Sequence, residues 1–236
     1  MQSLRRSTHI LAKTMKKGYS LNLVPKRPFS KVLRDAEKNL VQSLNSEIQY
    51  EEAENKQEDT EFNSEFIKKG QWTTNFSEDS TKMTLKKQVD RTTVTVVYHA
   101  RVPEDPENEM KEENENDKEE DFQSYVEFQV VLDNHNNKEK LVADLLAFNG
   151  EINVNGLFLT NNAEAILGDR SALYGSDMYT GPSFETLDER IQDNVLDYLK
   201  GLGINEDLAV FIEATSLEQE SKLYLKWLRT MKDFLE

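Results

Sequence analysis

The sequence contains no cysteine. This absence excludes disulfide bonds, zinc ribbons, iron–sulfur clusters and cysteine nucleophiles together, and it is compatible with a reducing compartment. Histidine is scarce as well, because only His9, His99 and His135 occur, and their placement does not make a metal site. No GKS or GKT sequence and no nucleophile with an activating base is recognisable. We therefore predict a protein that is not an enzyme and that holds no cofactor or metal ion.

Acidic residues are missing from the start of the chain, where residues 1–34 carry nine Lys and Arg and no Asp or Glu. A basic leader that bears Ser and Thr and lacks acids is typical of a mitochondrial transit peptide. Its apolar runs fall far short of the roughly 20 residues that span a bilayer. Residues 27–30, Arg-Pro-Phe-Ser, resemble a matrix-protease site. We predict a transit peptide over 1–29 and a single domain over 30–236; the alternative is a basic arm that binds nucleic acid or acidic lipid.

The rest of the chain has an excess of negative charge. The whole chain has 44 acidic and 29 basic residues, a net charge of −15. Residues 1–29 hold seven of the basic residues and none of the acidic ones, so the remainder has 22 against 44, or −22. Such a body repels phosphate backbones and anionic membranes. We therefore expect basic proteins as partners, no direct binding of nucleic acid and no membrane span.

Apolar residues recur every three or four positions near both ends of the domain. This spacing predicts an N-terminal helix over 30–55 and two C-terminal helices over 186–236. Thr186 is the predicted cap of the first C-terminal helix and Gly201 its end, while Asn205 is the predicted cap of the last helix. Residues 51–61 are acidic and poor in apolar residues, and they are predicted to form a linker.

The last helix carries an apolar stripe that is wide enough to require a cover. The N-terminal helix is the predicted partner, and the alternatives for the stripe are a core within the chain or a seam between subunits. The predicted helix-packing or oligomer residues are Leu40, Leu44, Leu217, Tyr224, Trp227, Leu228, Met231 and Phe234.

Between the helices, from residue 70 to residue 160, the apolar period changes to two. Asn149–Gly150 predicts a two-residue hairpin turn, and Asn155–Gly156 a second turn or a bulge. Polar alternation and short turns favour an antiparallel sheet with one wet face. A parallel nucleotide-binding sheet would need helices between the strands, and none is recognisable here.

The third and fourth predicted strands are separated by the acidic run, which is defined as residues 104–121 and has 11 acidic residues and two lysines. It is interpreted either as a solvated loop or as an electrostatic docking surface for basic proteins, while weak calcium binding lacks the ligand spacing of a selective site. The predicted partner-binding residues are Glu104, Asp105, Glu107, Glu109, Glu112, Glu113, Glu115, Asp117, Glu119, Glu120 and Asp121.

The layout resembles the mitochondrial acidic matrix protein family, also called the mitochondrial glycoprotein family. Residues 96–105 (VVYHARVPED), the acidic run, residues 122–132 (FQSYVEFQVVL) and the paired helices of 179–236 carry the resemblance. It implies an α+β fold in which a twisted antiparallel sheet of about seven strands is flanked by an N-terminal helix and two C-terminal helices. It also implies a ring-shaped homotrimer in the mitochondrial matrix.

Charge and resemblance together predict a non-enzymatic scaffold or chaperone-like protein that binds basic proteins. Mitochondrial ribosomal proteins and translation factors are the expected partners, and the expected roles are ribosome assembly, translation and oxidative phosphorylation. The alternative is a nucleic-acid mimic that occupies the nucleic-acid site of a basic partner. An enzyme stays open as a third class, for which a pocket with clustered titrating groups would be needed.

Overall fold

The structure is a computed structural model, and it describes residues 29–54, 61–100, 125–163, 167 and 179–236. In chain order, the elements are helices α1 (Phe29–Glu54) and α2 (Glu61–Gly70), strands β1 (Thr73–Phe76), β2 (Lys82–Val89), β3 (Thr92–His99), β4 (Tyr125–Asn134), β5 (Lys140–Phe148) and β6 (Glu151–Thr160), a 3-10 turn (Phe184–Thr186), and helices α3 (Glu189–Gly201) and α4 (Glu206–Leu235).

The strands form one antiparallel sheet in the order β1-β2-β3-β4-β5-β6, so that every strand pairs with its neighbours in sequence. The predicted turn between β5 and β6 is confirmed, because Asn149 and Gly150 have φ of 51° and 75°. Both residues are in the left-handed region that a type I′ hairpin turn requires. The predicted α+β class with an antiparallel sheet is therefore confirmed.

The expected seven strands are wrong for the described residues, which form six. Residues 152–154 and 157–159, on either side of the predicted turn or bulge at Asn155–Gly156, belong to the single strand β6. Asp144 pairs with Gly156 while Leu145 pairs with Val154, so one extra residue on β6 faces no partner. Asn155 is thus a bulge residue, which kinks a strand locally and lets pairing continue beyond it.

One face of the sheet and the two C-terminal helices enclose the main core. The alternation of β3 and β4 puts Val94, Val96 and Phe128 on this face, all of them buried. Helix α4 covers them with Phe211 and Ile212, which are fully buried. At one end of this core the Tyr98 and Thr215 hydroxyls are 2.7 Å apart. The apolar residues of the strands, which recur at every second position, and those of α4, which recur at every third or fourth, thus form the two sides of one core.

The prediction of one wet face is wrong for the β4–β6 side of the sheet. On that opposite face Val131, Val142 and Phe158 are buried together with Ala163, which follows β6 in the chain. The β2 side of this face still exposes Lys86. Ala163 and Leu167, which follow β6, therefore pack against an apolar part of this face.

Helix α4 has two halves with different neighbours. Apart from Leu228, its buried residues lie between Leu208 and Gln219, where the helix crosses the sheet. Beyond that point it runs alongside α1, and the Tyr224 hydroxyl donates to Glu47 Oε1 at 3.1 Å. The predicted pairing of the N-terminal helix with the last helix is therefore confirmed.

The predicted cap of α3 lies two residues too early. Helix α3 begins at Glu189, and the Asp188 side chain accepts a hydrogen bond from Arg190 N at 3.1 Å. Thr186 instead ends the 3-10 turn, and its hydroxyl donates to Ser183 O at 2.7 Å. Asp188 is therefore the side chain that satisfies a free amide of the first turn of α3. The predicted cap of α4 is confirmed, because Asn205 Oδ1 accepts from Leu208 N at 3.3 Å.

Helix α3 ends at Gly201 as predicted, but the left-handed glycine that closes it is Gly203, with φ of 79°. The predicted linker over 51–61 is wrong at both ends, because α1 continues to Glu54 and α2 begins at Glu61. Helix α2 was not predicted. No helix of the described residues is both long enough and apolar enough to cross a membrane.

Candidate functional site

The acidic run lies outside the described residues, but its point of departure is defined. Ala100 is the last described residue before it, and its amide donates to Thr81 O at 2.8 Å. Helix α4 crosses this end of the sheet, where the Ser216 hydroxyl donates to His99 O at 3.4 Å. Gln219 Nε2 donates to Ser80 O at 3.1 Å on the neighbouring loop. The chain therefore leaves towards the acidic run beside the middle of α4.

The same part of α4, together with α1, carries a group of carboxylates that we call the helix-pair surface: Glu47, Glu51, Glu52, Glu218 and Glu220. Several of them are held by specific partners. Glu52 accepts from Arg229 Nη2 at 2.7 Å, and Glu218 accepts from Lys222 Nζ at 2.5 Å. These side chains lie on the paired helices α1 and α4.

Repulsion between carboxylates is visible at this surface. Burial raises the pKa of Glu220 above its ordinary value, and the nearby Glu51 carboxylate raises the pKa further. The pKa of the Tyr224 hydroxyl is raised by partial burial, by its hydrogen bond to Glu47 and by the charges of Glu51 and Glu220. These directions indicate a local negative potential, which a positively charged partner would relieve.

Replacing Glu220 by glutamine is expected to stabilise the protein slightly at neutral pH. The folded-state pKa of Glu220 lies above its unfolded value, so its contribution to stability is complete below the unfolded pKa and is lost as pH rises through the folded pKa. Because the side chain is only partly buried and solvent screens the repulsion, we expect a gain of only about 0.2–0.5 kcal/mol at pH 7.

The measurement is urea denaturation of wild type and Glu220→Gln at pH 7 and near pH 4. The difference in the free energy of unfolding should shrink at the lower pH, where wild-type Glu220 is increasingly protonated. Glu218→Gln is the matched control, since it removes a carboxylate that is paired with Lys222. A Glu220→Gln variant that is less stable at pH 7 would contradict the assignment of repulsion.

The predicted helix-packing residues fall into two sets. Leu44 and Leu228 are buried within the chain, and Tyr224 and Met231 are half-buried. The remaining four are exposed by the fractions in brackets: Leu40 (42%), Leu217 (59%), Trp227 (54%) and Phe234 (83%). Helix α1 therefore covers only part of the stripe. The four exposed side chains are the ones available for a contact between subunits.

The two histidines of the described residues have hydroxyl neighbours. His99 Nδ1 is 3.0 Å from Thr81 Oγ1, and His135 Nε2 is 3.1 Å from Thr93 Oγ1. Within the described ranges no group of three or more His, Cys, Asp or Glu side chains is arranged to hold a metal ion. Both imidazoles thus lie within hydrogen-bonding distance of a threonine hydroxyl.

Sequence reasoning missed one set of residues altogether, where α2 meets the sheet. Phe62 and Phe66 of α2 line a cavity of about 400 Å³ together with Trp72 and Lys87. The signal was present in β2, since Lys87 occupies a position of the alternating pattern at which Met83, Leu85 and Val89 are apolar.

Comparison with known proteins identifies the family to which this chain is similar. A family model described as mitochondrial glycoprotein matches residues 44–235. The mitochondrial acidic protein mam33 of Schizosaccharomyces pombe is 29% identical over 98 residues, which is 41% of this chain. The matched part spans 36% of that relative's length.

Two solved structures share the fold. The Trypanosoma brucei p22 protein matches with a TM-score of 0.62 and 20% identity, over 85% of this chain and 99% of its own. A Leishmania major protein, described as hypothetical, of unknown function and a sequence homologue of human p32, matches with a TM-score of 0.64 and 18% identity, over the same shares of the two chains. At these identities the likeness is one of fold.

The family model covers 192 residues, from 44 to 235, out of 236. It therefore includes the last 11 residues of α1 and every later element, so the match extends over the sheet and both C-terminal helices. The chain belongs to the mitochondrial glycoprotein family.

Proposed function

We propose that the protein is a non-enzymatic mitochondrial matrix protein that captures basic proteins by charge. The observation that carries this proposal is the concentration of negative charge in one stretch of the sequence: 11 acidic residues within the 18 of the acidic run, which follows strand β3 in the chain. Carboxylates that already repel one another gain free energy when a cationic surface approaches. The family and the name of the Schizosaccharomyces pombe relative support a mitochondrial location.

The partners that fit this surface are strongly basic proteins that must be kept soluble before they assemble. Ribosomal proteins and translation factors of the organelle have this chemistry, so the proposal includes support of mitochondrial ribosome assembly, translation and, through these, oxidative phosphorylation. Residues 1–29 act in this proposal as a transit peptide that is removed after import. They oppose the charge of the remaining chain, with seven basic and no acidic residues.

The proposal also includes a homotrimer, as the resemblance implies. Apolar side chains are exposed along both terminal helices, including Leu33 and Leu40 on α1 and Leu217 and Phe234 on α4. A soluble helix usually buries such side chains, either within its own chain or against another subunit. Three copies joined through these helices would cover them.

Removal of charge from the acidic run is expected to weaken the capture of basic proteins. The variant changes five of its residues to the matching amides: Glu112, Glu113, Glu115, Asp117 and Glu119. The matched control makes the same change at five exposed carboxylates elsewhere: Glu139, Glu151, Glu185, Asp193 and Asp197. Both variants have the same net charge, so a difference between them reports the position of the charge and not its total.

The measurement is the affinity of the full chain for a purified basic ribosomal protein at about 50 mM and about 200 mM salt. We expect the first variant to lose at least about tenfold in affinity at low salt and to show a weaker salt dependence, because association of charged surfaces is screened by ions. Deletion of residues 107–120 should have the same effect and spare folding. Equal binding by both five-residue variants, or wild-type binding that is insensitive to salt, would contradict the proposal.

A further inference from the structure

A lysine side chain points into the apolar layer of the fold. In β2, Met83, Leu85 and Val89 face the main core, and Lys87 lies in the same alternation, opposite the fully buried Val94 of β3. Its side chain is half-buried, and burial lowers the pKa of its ammonium group. A charged group at such a position costs free energy unless something compensates it.

The compensation inside the chain is incomplete. Lys87 Nζ lies 4.2 Å from the centre of the Trp72 ring, a cation–π contact on one side. In the described residues it has no carboxylate within ion-pair distance and no hydrogen-bond acceptor. Lys69 and Lys200, by contrast, pair with Glu65 and Glu206. An ammonium group has three donors, so Lys87 retains capacity for an anionic acceptor.

Two glycines shape the space around this ammonium group. A Cβ atom built on Gly203 would lie 2.2 Å from Lys87 Nζ, and one built on Gly70 would lie 2.5 Å from Cδ1 of Trp72. Gly203 closes α3 with a positive φ, so the turn that ends this helix also makes room for the amine. The indole and the amine therefore lie against the backbone of glycine residues, which carry no side chain.

The amine lies at the wall of the cavity of about 400 Å³. Cavities of this size accommodate small organic molecules. Phe62, Phe66 and Trp72 form a row in which successive ring centres are 6.3 Å apart. Phe62 is 39% exposed, so this row presents an aromatic surface that remains open to solvent. The cavity thus combines an aromatic wall with the Lys87 ammonium group, for which the described residues supply no hydrogen-bond acceptor.

The charged side chains around the cavity determine the charge of the ligand that it can bind. Lys69 and Glu65 neutralise each other, which leaves Lys87 and, in the first turn of α4, Asp207. One unpaired cation beside one carboxylate suits a single negative charge better than a phosphate dianion, and no arginine lines the described cavity. The start of α4 at the cavity also favours a negative group, through the partial positive charge of a helix N-terminus.

We propose that this cavity binds a small organic monocarboxylate with an aromatic or apolar body, whose carboxylate accepts hydrogen bonds from Lys87 while its body lies against Phe62 and Phe66. This site is separate from the capture of basic proteins, because it lies on α2, β2 and the α3–α4 turn. The ligand adds to the cation–π contact with Trp72 and does not replace it.

Phenylacetate is a suitable probe, with 2-phenylethanol, 2-phenylethylamine and acetate as controls for the charge, its sign and the apolar body. Ligand-observed NMR on the full chain should detect phenylacetate with a dissociation constant of about 1 mM, in keeping with its few atoms. We expect the neutral alcohol and the cationic amine to bind at least about tenfold more weakly, since each lacks the charged hydrogen bond to Lys87. Acetate alone should not bind detectably at the same concentrations.

The decisive variant is Lys87→Met, which keeps an apolar stem and removes the ammonium group. It should lose at least about tenfold in phenylacetate affinity, while Lys86→Met, on the adjacent position and the opposite face, should bind as wild type does. In a Trp227→Phe background, Trp72 is the only tryptophan, and its fluorescence should respond to phenylacetate. A thermal melt of each variant separates loss of the site from loss of the fold.

Phe62→Ala is a second variant that leaves the amine in place and removes part of the apolar wall. It should weaken phenylacetate and leave the fold intact, because Phe62 is partly exposed. The proposal is overturned by equal binding to wild type and Lys87→Met, by tighter binding of 2-phenylethylamine, or by no binding of phenylacetate at about 20 mM, well above the expected dissociation constant.

Discussion

Replacement of Phe211 by alanine is expected to lower the free energy of unfolding by about 3–5 kcal/mol. The side chain has no exposed surface, and its ring centre lies 4.6 Å from that of Phe66, at an interplanar angle of 24°. It is therefore where α4, α2 and the sheet meet. Alanine would leave a cavity among side chains on three elements that cannot all move inward together.

The measurement is chemical denaturation of wild type and Phe211→Ala at one protein concentration, because assembly makes stability depend on concentration. Phe234→Ala is the matched control. It removes the same atoms from a side chain that is 83% exposed, so within a single chain it should change the free energy of unfolding by less than about 0.5 kcal/mol. A loss below about 1 kcal/mol for Phe211→Ala would show that this junction is loosely packed.

The elements that sequence reasoning predicted well are those whose signal is local. The Asn149–Gly150 pair fits a turn that few other residues can adopt, and Asn205 precedes a long apolar period, so both features followed from short stretches. Strands β2 to β4 were predicted because apolar residues recur at every second position along much of each strand. In these cases neighbouring residues determine the structure with little help from distant contacts.

The failures have a different origin. Asn155–Gly156 is compatible with a turn or with a bulge, and the choice depends on whether β5 continues opposite it, which is not encoded locally. Helix α2 has 10 residues and is preceded by acidic sequence. Its stability comes from Phe66 packing against Phe211, a contact across 145 positions of the chain. Short helices depend on such packing more than on propensity.

The two candidate sites differ in the same respect, because the signal of one is local in the sequence and that of the other is not. The acidic run is visible in any reading of the sequence, because charge density needs no fold. The Lys87 cavity is not, since Phe62, Trp72 and Gly203 come from three separate elements. Only one clue was available, a lysine at an apolar position of the β2 alternation. A single exception in a pattern does not predict a cavity until the partner elements are known.

Aspartate at Leu217 and Phe234 together is expected to convert the proposed trimer into a monomer. Both side chains lie on α4, and they are 59% and 83% exposed in the single chain. If subunits meet through the terminal helices, each of these side chains contributes about 1.5–3 kcal/mol when it is buried. A buried carboxylate without a partner reverses that gain and adds a desolvation cost. The affinity between subunits should then fall by several orders of magnitude.

Light scattering on the purified full chain is the direct measurement. Wild type should have the mass of a trimer, three times that of the 27.3 kDa chain, and the double variant should have the mass of a single chain. Leu159→Asp is the matched control, since Leu159 is 55% exposed but lies on β6 and not on the terminal helices. It should keep the mass of wild type.

A monomeric wild type would refute the trimer, and dissociation by Leu159→Asp but not by the double variant would place the seam on the sheet. Because neither exposed side chain of α4 contributes to the core, the double variant should keep its folded secondary structure, so that a loss of mass reports assembly and not unfolding.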